Sequence, residues 1–166
     1  MAYHAVTTLY TAHTGAATEP EIDDVCAALA AMIYAVVGPL PLTNPLRGAS
    51  GAAVATPPQL PWAVVLPAPG NSEEKIDSLH VAAWHALDLV FLFGPPDMPE
   101  RALLPNLDYL YAAQLAISEN RHLDSGVHRL AAPTWDWARV EYAGKEWAGL
   151  VLHCRAQTQY GMRAAW

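Results

Sequence analysis

The sequence predicts an α+β domain: a mainly antiparallel β-sheet with two helices packed on it. Three observations carry that prediction. A long apolar stripe at helical spacing lies near the N-terminus. Short β-branched and aromatic runs, bounded by Pro and Gly, recur further along. A second helical stripe separates the first pair of these runs from the last, so the elements read α-β-β-α-β-β. With 166 residues and no internal repeat, the chain fits a single domain, 1–166, able to bury roughly 70% of its unfolded surface.

Residues 1–17 alternate weakly, Val6, Thr8 and Tyr10 against Thr7, Leu9 and Thr11, and read as a strand or an N-terminal arm. The first helix follows. Thr18 and Glu21 make a capping box, and Glu19, Glu21, Asp23 and Asp24 place negative charge at the helix N-terminus. Ile22, Val25, Cys26, Leu29, Met32, Ile33 and Val36 form one continuous stripe, which Gly38 and Pro39 stop.

The stretch GPLPLTNPLRGASGAAVATPPQLP, residues 38–61, holds six prolines and three glycines. Prolines remove backbone donors and glycines are costly to order, so the segment is expected to be neither helix nor strand. Loops beyond about 12–15 residues are uncommon inside compact domains. Either this one is loose, or something outside the domain holds it, which makes 38–61 a candidate extended interface loop. Its GASGAA core lacks the Lys and the preceding strand of a phosphate-binding loop.

WAVVLP (62–67) reads as a strand, an edge strand given its flanking prolines. APGNSEEKID reads as an acidic turn. A longer strand, 79–93, places Leu87, Leu89, Phe91 and Phe93 on one face and Asp88, Val90 and Leu92 on the other. Two apolar faces suit a central strand. Leu103, Leu107, Leu110, Tyr111 and Gln114 follow helical spacing, with Pro105 either kinking this helix or opening its first turn. The closing segment from Val127 reads as strands around an Ala143-Gly144 turn, with Ala148, Leu150, Leu152 and Cys154 facing inward.

Composition restricts the function classes. The charged fraction is 15%, against about 25% in typical soluble domains. Some apolar surface is therefore expected to be covered by other subunits, although abundant Ala gives a blander explanation. Net charge is −7, and the only lysines are Lys75 and Lys145. Tight phosphate-based nucleic-acid binding is not expected. Neither a signal peptide nor a membrane span is expected, since the longest apolar run, AALAAMIYAVVG, is too short to cross a bilayer. Cys26 and Cys154 suit buried free thiols in a reducing compartment.

No catalytic constellation emerges, and no enzyme activity is expected. His80 and His85 fall on opposite strand faces, as do His153 and Cys154. No zinc-like spacing and no GxSxG elbow is present. Neither a metal nor a cofactor is therefore expected. In TWDWARVEY, Trp135, Trp137 and Arg139 share a face that could stack sugars or bases. The simpler expectation is a cross-strand pairing with Trp147.

In the order of its parts, the chain resembles the tail-terminator, or tail-completion, proteins of long-tailed bacteriophages. An amphipathic helix leads into a Pro-rich loop and PWAVVLPAPG. The apolar strand HALDLVFLFGPPDMPERA runs into a helix, and DSGVHRLAAPTWDWARVEYAGKEWAGLVLHCRAQT forms the closing hairpin. The likeness covers residues 20–157 and rests on order and spacing. It implies a homohexameric ring on the last ring of the tail tube, assembled in the host cytoplasm and found in the neck of the virion. One face would meet the tube protein and the other a connector or stopper protein, with DNA passing through without specific binding. Leu40, Leu42, Leu46, Arg47 and Trp166 are the expected subunit or tube contacts. Alternatives are a head-closure or connector adaptor and a small-ligand-binding α+β domain.

Overall fold

Helix α1 spans Ile22–Val37 in the computed structural model, which describes residues 22–51, 56–68, 73–76, 80–96, 104–123 and 127–161. Its buried row, Val25, Cys26, Leu29, Ala30, Ile33 and Val37, lies along the expected stripe, with Ile22, Met32 and Val36 packed at the margin. Apolar residues three and four apart fall on one side of a helix, so they leave water together. The helix ends at Gly38, whose N–H donates to the Tyr34 carbonyl at 3.0 Å. The expected capping box at Thr18 and Glu21 lies outside the described residues, as do the arm 1–17, Leu103 and Trp166.

Among the described residues, seven strands form one curled sheet: β1 (Gly48–Ser50), β2 (Trp62–Pro67), β3 (Glu73–Ile76), β4 (His80–Gly94), β5 (Val127–Leu130), β6 (Thr134–Tyr142) and β7 (Lys145–Gly161). Strands β4 and β7 pair antiparallel from His80 opposite Gly161 to Gly94 opposite Ala148, making the spine. Because both are long, each carries two short strands along its other edge, β2 and β3 on β4, and β5 and β6 on β7. Among the described strand pairs, only β1 with β2 is parallel. The β6–β7 hairpin turns at Ala143 and Gly144, both with positive φ (53° and 72°), the type I′ arrangement that suits a two-residue hairpin.

The second helix is preceded by a 3₁₀ turn, Leu104–Asn106, so Pro105 opens the element rather than kinking it. Helix α2 then spans Leu107–Glu119 and buries Tyr109, Leu110, Ala113, Ala116 and Ile117. Both helices pack on the same sheet face, over Leu87, Leu89, Phe91, Leu150, Leu152 and Cys154, which joins them in one core. The other face has a smaller cluster of Val64, Val90, Leu92, Tyr142 and Trp147, to which no helix contributes. The architecture is α+β, two helices on a mostly antiparallel sheet. Among the described residues, no helix is long and apolar enough to cross a membrane.

Four expectations change. Segment 38–61 is not wholly irregular, because Gly48–Ser50 adds a parallel strand to β2. Strand β2 is consequently not an edge over Trp62–Val64, where it pairs on both sides. The acidic turn contains β3, Glu73–Ile76, held by pairing with β4 despite its charge. Trp147 lies opposite Val140 rather than beside Trp135 or Trp137, whose partners are Leu152 and Leu150. An even offset along a strand keeps side chains on one face, and the register puts Trp147 on the other.

Candidate interaction surface

The first half of the Pro-rich segment is fastened to its own domain. The Tyr109 hydroxyl donates to the Asn44 carbonyl, Asn44 Nδ2 donates to Asn106 Oδ1 at 3.0 Å, and the Thr43 N–H donates to Asp108 Oδ2 at 3.1 Å. Next, the Arg47 N–H donates to the Pro61 carbonyl at 2.9 Å, and Trp62 Nε1 donates to Ser50 Oγ at 3.3 Å. Two glycines make this path possible. At Gly48 a Cβ would lie 2.3 Å from the Trp62 ring, and at Gly51 it would lie 2.2 Å from the Ala27 Cα of α1. The GASG stretch is thus a close approach of strand to helix and indole, not a ligand loop.

This fixes where the expected interface residues lie. Leu46 is buried in the chain's own core, so little of its apolar surface is open to a partner. Leu42 is half-buried against that core. Leu40 and Arg47 are exposed and remain available for contact, while Trp166 lies outside the described residues. The described part of the segment is ordered from within the chain rather than only by a neighbour.

Apolar surface collects instead on the outer side of α2. Leu104 (71% exposed), Leu107 (40%), Tyr111 (72%) and Leu115 (57%) form one row at three- and four-residue spacing. On a helix turning 100° per residue this row lies almost opposite the buried one. The expected stripe Leu107, Leu110, Tyr111, Gln114 mixed the two, since only Leu110 of these is buried. Tyr34 and Leu40 are also exposed on the helical side. A helix apolar on both sides is ordinarily covered on both sides. Beside its C-terminal half, a groove of about 360 Å³ runs between Gln114, Ser118 and Arg121 and the connection at Ala132 and Pro133. Helix α1 contains Asp23 and Asp24, helix α2 contains Asp108 and Glu119, and neither contains Lys or Arg.

The opposite face of the sheet has different chemistry. His153 on β7 bridges two strands, with Nδ1 2.8 Å from Asp88 Oδ1 on β4 and Nε2 3.2 Å from Asp136 Oδ2 on β6. The Asp88 hydrogen bond above all raises the His153 pKa above its usual value, which favours the imidazolium, the form able to donate to both carboxylates. With both nitrogens engaged, it offers neither a free base nor a free metal ligand. Nothing in the sequence signalled the trio, because its members sit on three strands whose register must be known first. One step along the same face, the Arg155 guanidinium lies 5.2 Å from the centre of the Trp84 ring.

The other sequence candidates divide between core and surface. Trp137 packs 5.9 Å from Phe93, which packs edge-on against Tyr109 at 5.1 Å, so this Trp serves the core. Trp135 is exposed. His85 is buried with Nε2 3.0 Å from Thr158 Oγ1, and burial lowers its pKa, which favours the neutral ring. Cys26 and Cys154 are free and buried. No protein-family model and no curated protein matches this chain.

Proposed function

We propose that this chain is a virion structural protein, the tail terminator of a long-tailed bacteriophage, acting as a ring subunit at the head-proximal end of the tail tube. The observation that carries the reading is the outward row on α2. Four large apolar side chains face water in a chain whose second helix is already fully used on its inner side. Such a surface fits a subunit finished by neighbours, and the resemblance in element order supplies the kind of neighbour. Tube growth stops when the ring caps the last tube layer, and the ring's other face then receives the connector. The acidic balance of the chain, net −7, suits a passage that does not grip DNA phosphates.

Electron microscopy of tail tubes assembled with and without the chain tests this. Tubes of uniform length ending in a ring are the expected outcome. Tubes that continue to grow with the protein present overturn it, and binding to connector alone transfers the role to head closure.

A further inference from the structure

We infer that two copies of this chain pair edge to edge, β6 against β6, antiparallel about a twofold axis at Ala138. The inference does not rest on the ring reading. A twofold contact is complete at two chains, whereas a ring needs two different patches on each subunit.

The hairpin turn decides which backbone groups of β6 are free. Tyr142 and Lys145 flank its two-residue type I′ turn and so exchange hydrogen bonds. The alternation of an antiparallel ladder carries this to Val140, Ala138, Asp136 and Thr134. The N–H and C=O groups of Trp135, Trp137, Arg139 and Glu141 therefore point away from β7. Among the described residues β6 pairs with β7 alone, and none of these outward groups has a backbone partner. A row of free donors and acceptors is satisfied by another extended backbone. The other outer strands are poorer templates: β1 has three residues, β3 and β5 have four, and β5 breaks register between Val127 and Arg129. Strand β6 has nine, with no proline and no bulge.

This free row is its own complement. Trp135, Trp137, Arg139 and Glu141 are symmetric about Ala138. A twofold axis there sets Trp137 opposite Arg139 of the second copy and Trp135 opposite its Glu141, and only this axis pairs all four. A guanidinium beside an indole is favourable, and the exposed Trp135 gains a neighbour. The two Arg139 side chains stand a diagonal step apart, each with Glu141 beside it on its own strand. Moving the axis to Arg139 would set the arginines directly opposite each other, and moving it to Trp137 would set Glu141 against Pro133, which has no N–H. Glu146, across the hairpin from Glu141, lies on the β7 side, away from the second copy. The axis is perpendicular to the sheet, so the helices of both copies stay on one side.

Cysteine crosslinking reads the position of the axis. There Ala138 meets Ala138 of the second copy in a non-hydrogen-bonded pair, with Cα atoms about 4.5 Å apart, within the span of a disulfide. Both native cysteines are buried. With oxidised glutathione, A138C should give a covalent dimer on a non-reducing gel. E141C, exposed on the same strand but roughly 20 Å from its counterpart, should not. By light scattering, wild type should rise from the 17.9 kDa of one chain toward about twice that mass with concentration. R139P removes one outward N–H and no ladder bond to β7, so it should stay at one chain with unchanged circular dichroism. No coupling of A138C, or equal coupling of A138C and E141C, overturns the pairing whatever R139P does to folding. An R139P chain that doubles like wild type overturns it as well, as does a wild type that stays single at every concentration. Larger wild-type assemblies should still contain pairs linked through A138C, and their absence overturns it too. A single-chain wild type whose binding to tail tube or connector is lost in R139P assigns the edge to that partner and also overturns pairing between copies. Tubes left uncapped bear on the tail-terminator reading alone.

Discussion

The hydroxyl of Tyr109, on α2, donates to the backbone carbonyl of Asn44, 65 residues earlier, and so ties the Pro-rich segment to the second helix. The Tyr109 ring is fully buried, 5.2 Å from the Phe91 ring centre. Tyr109→Phe keeps that packing and removes only the tether. Stability to urea should fall by about 1 kcal/mol, and residues 40–47 should be cut faster under limited proteolysis. Unchanged proteolysis would mean that the other hydrogen bonds of this segment suffice.

Gly51 tests the close approach to α1. A methyl group there would meet Ala27 Cα and N at 2.2 and 2.3 Å, backbone atoms that cannot turn aside. Gly51→Ala should therefore cost about 1–3 kcal/mol, the usual range for overpacking. Gly94, with nothing within 4 Å of its Cβ position, provides the control. Equal denaturation midpoints for Gly51→Ala and Gly94→Ala would rule out the steric account.

Local patterns were readable, and pairings were not. The α1 stripe follows from spacing alone, as does the two-sided burial of β4 at Leu89 and Val90. The Ala143-Gly144 turn is equally local. Helix α2 misled because Leu107, Tyr111 and Leu115 make a second apolar row opposite the buried one, so periodicity could not pick the inner face. Strand β3 was hidden by its composition, EEKI, where pairing with β4 outweighs weak propensity. Leu46 could not be placed, because the path of its segment is set by hydrogen bonds to Asn106, Asp108 and Tyr109, far along the chain. The Asp88–His153–Asp136 trio depends on two registers at once, β4 with β7 and β6 with β7.

The cysteines should be inert while the chain is folded. Burial, above all, pushes the Cys26 thiol up to about 11 and the Cys154 thiol up to about 12. The thiolate is the reactive form, so at pH 8 almost none is present at either site. A thiol reagent at that pH should label neither cysteine in the native protein and both in denaturant. Rapid stoichiometric labelling of the native protein would contradict the burial of both.

His153 makes stability depend on pH in a definite direction. Its pKa is raised above 6.5 in the folded state, first by the hydrogen bond to Asp88, with Asp136 adding to the effect against partial desolvation. On the same face stand Arg155, two residues along β7, and Thr134, its β6 partner. The folded state therefore binds the proton more tightly than the unfolded chain does. The resulting stabilisation is fully present below the unfolded pKa of about 6.5 and is lost as pH rises through the higher folded value. Solvent limits its size: His153 is 46% exposed and Asp136 71% exposed. Screening at such a site leaves about 0.5–1 kcal/mol. Urea titrations of wild type and His153→Asn at pH 5.5 and 8.5 isolate it, since the other histidines cancel in the difference. The wild-type advantage should be largest at pH 5.5 and shrink at pH 8.5. An advantage that grows with pH would mean that the ring is neutral in the fold and the carboxylates do not hold its proton.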